Sequence, residues 1–225
     1  MILRNSPIFG TLSDKVLKAL ADMSASREYS DGETVFREGE PGNLLIGVIS
    51  GRIRISASSD DGRALNLNMI MQGEIIGEIA FLDRGPRTAS GVAQGPVVVF
   101  TIPQPPFFKL LQAQPELAIH LLQLVCRRIR WTSNQLADFA FLSPPVRLAA
   151  QVIHLSNTNR KDDQSAPTEV DISQEELARF LGVSRQVVNG YLRDWQEQGA
   201  VILRRGRIGI ASEEKLRAVS GLPAK

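Results

Sequence analysis

A chain of 225 residues with 43% apolar side chains and a net charge of +2 is long enough for one large or two modest cores. No apolar run approaches the ~20 residues of a membrane span, and the opening MILRNSPIFG lacks the basic and apolar regions of a secretory leader, so a cytoplasmic protein is expected. The single cysteine, Cys126, excludes an internal disulfide and a multi-cysteine zinc or iron–sulfur site.

A short amphipathic helix is predicted from Leu12 to Met23. The residues that follow, to about 105, read as short strands separated by turn signals such as Asp31-Gly32, Gly39-Glu40-Pro41-Gly42-Asn43, Asp60-Asp61-Gly62 and Gln72-Gly73. Turns at this spacing imply an all-β sandwich or jelly roll. The stretch GEIAFLDRGPRTA, from Gly77 to Ala89, interrupts that rhythm with a non-strand segment suited to a ligand loop. Gly77 and Gly85 permit positive φ and close backbone approach, which lets amide N–H groups turn toward an anion. Arg87 supplies a fork for two phosphate oxygens, Thr88 adds a hydroxyl donor, and Glu78 is placed to accept from a ribose hydroxyl while pairing partly with Arg87. Read alone, the segment is also compatible with a glycine-rich turn carrying a surface Glu–Arg pair.

Gly77, Glu78, Ile79 and Ala80, followed by Pro86, Arg87, Thr88 and Ala89, resemble the phosphate-binding cassette of cyclic-nucleotide-binding domains. The resemblance implies that Glu78 holds the ribose 2′-OH, that Arg87 and Thr88 hold the cyclic phosphate, and that backbone around Gly77 and Ala89 completes the shell.

From Pro115 to Phe141 no Gly or Pro interrupts a helical pattern in which Ala118, Leu122, Val125, Ile129, Thr132, Leu136 and Phe139 recur at alternating intervals of four and three. Such a seam predicts a long helix pairing with its twin in a parallel homodimer; the same stripe is also able to pack on its own β domain. Thr132, with Ser133 beside it, is the polar step in the seam. Its hydroxyl serves either register and back-bonding or a ligand. CRRIRWTSNQLADFAFL, residues 126 to 142, is similar to the central helix of the CRP/FNR family of bacterial regulators. By that resemblance Thr132 contacts the base of a bound nucleotide in cis and Ser133 does so across the dimer. Thr88, directly after the cassette arginine, also resembles cyclic-GMP-selective domains, so cAMP is the expected effector with cGMP open.

Ser143-Pro144-Pro145 ends the long helix and opens the next, with Ser143 as N-cap and Pro144 at N1, a natural hinge. The polar stretch from Asn157 to Thr168 is expected to be a surface loop or hairpin, with contact to RNA polymerase one use for it. Ser173-Gln174-Glu175-Glu176 is a capping box opening a helix through Leu181. Gly182 supplies the turn and Ser184 caps a second helix reaching Gln198, whose buried face is Val188, Tyr191, Leu192 and Trp195. ISQEELARFLGVSRQVVNGYLRDW resembles the helix-turn-helix of the same family. On the opposite face, Arg185, Gln186 and Asn189 are candidates for base contacts and Arg193 for phosphate, with the capping serines Ser173 and Ser184 counted in the DNA-facing set. Arg204-Arg205-Gly206-Arg207 reads as a wing whose Arg205 and Arg207 touch the DNA backbone. Gln186 and Gly190 depart from residues common in the family, so its familiar operator is not implied.

The expected fold is α+β: a β-roll (double-stranded β-helix or jelly roll) over 1–113, a dimerisation helix and hinge over 114–142, and a winged helix-turn-helix over 143–225. The expected function is a homodimeric transcription regulator under cyclic-nucleotide control, binding a palindromic double-stranded operator, with no metal and no catalysis. A metal, haem or redox sensor would have to use Cys126, His120 and His154. Their scatter matches no ligand spacing and they read as helix-packing residues.

Overall fold

In the computed structural model, which describes residues 4, 9–59, 61, 62, 64–159 and 169–223, the first of two units, Met1–Thr132, is organised by two long antiparallel strands. These are β3 (Leu44–Ser58) and β6 (Ser90–Pro103), and their register shifts around Ser50 bend the pair. β1 (Ala25–Tyr29) and β2 (Thr34–Phe36) add to β6, while β4 (Ala64–Ile70) and β5 (Ile75–Ile76) add to β3, every pair antiparallel. Alternating side chains from both long strands, among them Val48, Ile53, Ala93, Val97 and Val99, fill the roll. A second apolar layer lies between the roll and its helices. There Val16, Leu17 and Leu20 of α1 (Asp14–Asp22) meet Phe81, Phe107, Leu117, Leu121 and Leu124.

The cassette enters this frame as α2 (Glu78–Asp83), a single turn and a half. α3 (Gln104–Ala113), which the sequence reading does not anticipate, carries Pro105 and Pro106 in its first turn, tolerated because first-turn N–H groups lack intrahelical acceptors. α4 runs over Pro115–Phe141 without interruption. It carries two stripes. Leu117, Leu121 and Leu124 are buried in the helical layer of the first unit, whereas Leu122 and Ile129 of the seam are 64% and 60% exposed. The stripe that packs in the first unit's helical layer is therefore Leu117, Leu121 and Leu124, and not the seam.

The second unit, Ser133–Lys225, starts within α4. α5 (Pro144–Asn159) follows the bend, with Arg147 N–H donating to Ser143 O at 3.1 Å and the Arg147 guanidinium lying 4.3 Å over the Phe139 ring. The stretch expected as a loop from Asn157 is helical as far as Asn159; 160–168 lie outside the described residues. β7 (Glu169–Asp171), β8 (Val201–Arg204) and β9 (Arg207–Ile210) form a sheet in the order β7-β9-β8. Between them stand α6 (Gln174–Leu181) and α7 (Arg185–Glu197), and α8 (Glu213–Ser220) closes the unit. The capping box is complete, Gly182 takes φ 68°, and Ser184 accepts from Val187 N–H. Val188, Leu192 and Trp195 of α7 are buried as expected; Tyr191 is half-buried and stacks on Trp195. No helix among the described residues is long and apolar enough to cross a membrane.

Candidate functional site

The cassette loop is tied to the roll by a small antiparallel bridge between Pro41 and Pro86, in which Arg87 N–H donates to Glu40 O and Gly39 N–H to Arg87 O, both at 2.8 Å. These bonds fix the backbone of Arg87 and send its side chain inward, where only 5% of the residue remains exposed. Nη1 donates to Gly77 O at 3.0 Å and Nη2 to Leu44 O at 2.7 Å, while the guanidinium lies 4.8 Å over Phe36. The Nε–H is buried with no partner among the described residues. Burial pulls the Arg87 pKa below its ordinary value, and the fields of Glu78 and then Glu40 pull it back up. A cation in this state, still short of acceptors, favours an anionic ligand.

Gly77 holds φ 86° at the N-cap of α2, and a Cβ there would overlap Arg87 Nη1. Glycine is thus required twice at this position, for the left-handed backbone and for the space the guanidinium fills. Glu78 is 5% exposed. Its ion pair corrects the sequence reading: Glu78 Oε1 meets Arg128 Nε at 3.5 Å and acts on Arg87 through its field. Arg128, on α4, also donates from Nη2 to Ile75 O at 2.9 Å.

One cleft in the first unit brings together Gly77, Glu78, Ile79, Ala80, Arg87, Thr88, Ala89 and Thr132. Thr88 and Thr132 are exposed within it, and Ser133, the first residue of the second unit, is exposed as well. The same cleft is lined by Phe36, Asn68, Arg128 and Trp131, which the sequence reading missed. Arg128 carries a legible signal, since it stands one helical turn before Thr132 and so shares its face. Phe36 and Asn68 carry none, because strand pairing alone brings them near.

In the second unit Arg185, Gln186 and Arg193 are exposed on α7 and Asn189 is half-buried. Ser173 and Ser184 occupy the N-caps of α6 and α7, so their hydroxyls are engaged by Glu176 N–H and Val187 N–H. Arg205 is exposed at the wing turn. Arg207, expected on the DNA backbone, is ion-paired to Asp171 at 2.6 Å and lies 3.7 Å from Glu169, and Arg204 meets Glu169 at 2.7 Å. Ser173, Arg185, Arg205 and Arg207 share one groove. Among the described residues no three His, Cys, Asp or Glu side chains gather as metal ligands would. His120 bonds Thr11 and the Glu116 carbonyl, whereas Cys126 and His154 are exposed, contrary to the packing roles expected of them.

Fold and sites together define a protein class, a β-roll with a basic, carboxylate-flanked cleft followed by a winged helix-turn-helix. Residues 26–114 match the cyclic nucleotide-binding domain family and residues 146–219 the Crp-like helix-turn-helix domain. The chain is 32% identical over 216 residues to the CRP-like cAMP-activated global transcriptional regulator of Mycobacterium tuberculosis, covering 96% of each. It is 27% identical over 218 residues to the cyclic AMP receptor protein of Thermus thermophilus, covering 97% of this chain and 98% of that one. Among solved structures, the c-di-GMP responsive regulator CLP of Xanthomonas campestris superposes with a TM-score of 0.78 at 24% identity, over 89% of this chain and 100% of that one. The Thermus thermophilus catabolite activator protein does so with a TM-score of 0.56 at 27% identity, over 97% and 100%. The chain belongs to the CRP/FNR family of transcription regulators. It is a DNA-binding regulator with a cyclic nucleotide-binding domain.

Gly77→Ala separates the two demands on that glycine. A left-handed alanine costs about 1–2 kcal/mol, a modest fall in melting temperature. The new methyl group finds room only by displacing the Arg87 guanidinium, so cyclic-nucleotide affinity is expected to fall further than stability does. Thermal denaturation beside ligand titration checks this, and undiminished affinity would contradict the cradle geometry.

Proposed function

We propose that this chain is a homodimeric regulator whose DNA binding is switched by a purine 3′,5′-cyclic mononucleotide, cAMP in preference to cGMP, in the cytoplasm. The observation that carries this reading is the buried Arg87, with an unpartnered Nε–H, beside the buried Glu78. Arg87 and Thr88 would hold the cyclic phosphate, with backbone at Gly77, Ile79, Ala80 and Ala89 around it. Glu78, steadied by Arg128, would accept from the ribose 2′-OH and reject ligands without it, because its buried oxygen would then go unpaired. Thr132 would meet the base in cis and Ser133 from the partner protomer.

The exposed seam of α4 supports the dimer. A ligand gripped by the roll and touched by α4 prefers one arrangement of the reading heads, and only such a difference in affinity shifts their populations. In the bound state the two α7 helices would enter successive major grooves about 34 Å apart. There Arg185, Gln186 and Asn189 would read bases, while Ser173, Ser184, Arg193 and Arg205 would lie toward phosphate, with Arg207 beside them in its ion pair to Asp171. RNA polymerase would be its protein partner at the promoter. No catalytic step is part of this reading.

Relatives named as cAMP-activated favour cAMP. The exposed Thr88 in the cleft keeps cGMP as the second reading. Titration calorimetry with cAMP, cGMP and a cyclic dinucleotide is expected to rank cAMP first, with promoter affinity rising on its addition. Absence of heat with all three, or promoter affinity indifferent to them, would overturn the reading.

A further inference from the structure

The three arginines of the wing do not stand in equivalent positions. Arg204 and Arg207 are direct cross-strand partners at the base of the β8–β9 turn, where two like charges repel. β7, on the other side of β9, supplies the compensation. Glu169 reaches both guanidiniums, Arg204 Nη1 at 2.7 Å and Arg207 Nη1 at 3.7 Å, and Asp171, in register with Arg207, takes its Nε at 2.6 Å. Two carboxylates thus stand against two of the wing's three cations, and Arg205 is exposed in the turn between β8 and β9.

We propose that Glu169 and Asp171 act as an acid clamp on the wing: they hold Arg204 and Arg207 in internal ion pairs, so that a DNA backbone must compete with β7 for both and the wing engages phosphate mainly through Arg205. The proposal rests on the DNA-facing role of the wing. It follows from charge accounting. A guanidinium already neutralised by a carboxylate displaces no further counterion from DNA, and the carboxylate behind it repels the phosphates. All four side chains are partly exposed, the arginines by 64% and 55%, so each pair taken singly is weak in water, and it is the net charge of the set, two cations against two carboxylates, that withholds Arg204 and Arg207 from the backbone. The clamp therefore lowers the sequence-independent part of affinity and leaves base readout by α7 unaltered, which raises specificity.

The test is the salt dependence of the full-length protein's binding to a fluorescein-labelled random-sequence duplex, followed by anisotropy between about 50 and 200 mM KCl. The double variant Glu169→Gln/Asp171→Asn is expected to bind this duplex more tightly and to steepen the plot of log K against log salt by one to two, at about 0.9 per phosphate newly neutralised. In the otherwise unaltered chain Arg205→Ala should flatten the slope by about 0.9, while Arg204→Ala and Arg207→Ala change it far less. A slope unchanged in the double variant would overturn the clamp. So would Arg204→Ala or Arg207→Ala flattening the slope as much as Arg205→Ala, an arm that needs no acidic variant to fold. Failure of the unaltered protein to bind any duplex, with cAMP present as well as absent, would instead count against the DNA-binding reading itself.

Discussion

Arg87→Ala is expected to raise the dissociation constant for cAMP by roughly 30- to 5,000-fold, about 2–5 kcal/mol. The size follows from burial. An anion placed against Arg87 would pair with a guanidinium that is itself only 5% exposed, and losing it leaves that charge uncompensated. Arg128 is not free to replace it, since it is held by Glu78 and by Ile75 O. Folding stability should respond less, because two effects oppose each other. The carbonyls of Gly77 and Leu44 lose their donor, at about 1–3 kcal/mol for each that stays dry. Against this, the variant no longer buries a cation whose desolvation already lowers its pKa. Arg87→Lys keeps a point charge without the fork and should fall between the two. Calorimetry beside thermal denaturation of the ligand-free protein checks the pattern, and unchanged affinity in Arg87→Ala would sink the cassette assignment.

Ile129→Asp is expected to abolish the proposed homodimer. Leu122, Ile129, Leu136 and Phe139 are between 57% and 70% exposed on α4 of the single chain, at heptad spacing. Large apolar side chains in such a row gain about 1.5–3 kcal/mol each on burial. In a parallel pair Ile129 faces its twin, so one substitution removes two side chains from the seam and sets two carboxylates against each other. A loss on the order of 5 kcal/mol is expected, enough to dissociate a micromolar dimer. Because Ile129 is outside both apolar layers of the first unit, the fold itself should survive. Sedimentation velocity and circular dichroism distinguish these outcomes, and a variant that remains dimeric would place the protomer contact elsewhere. Binding to a palindrome should weaken in parallel, since two half-sites would then be engaged independently.

Much of this protein is legible in short stretches of sequence. The capping box at Ser173 and Glu176, the left-handed Gly182 and the Ser184 cap depend on hydrogen bonds that close within four residues, so composition at those offsets suffices to place α6 and α7. The bounds of α4 are set in the same way, by an unbroken helical period from Pro115 to the proline pair. Gly77 at the left-handed N-cap of α2 is likewise legible from residue type alone.

Tertiary structure alone decided what those residues touch. Periodicity finds a seam on α4 but does not show that Leu117, Leu121 and Leu124 one position away are the stripe that enters the core. Glu78 finds its ion-pair partner 50 residues away on α4 and not nine away in Arg87, because the packing of that helix on the roll brings Arg128 to it. Glu169 and Asp171 reach the wing arginines only through the register of β7 on β9. The division has one physical cause. Backbone hydrogen bonds and helical period act over a few residues and are written locally, whereas a charge's partner is chosen by sheet register and helix packing, which belong to the whole fold.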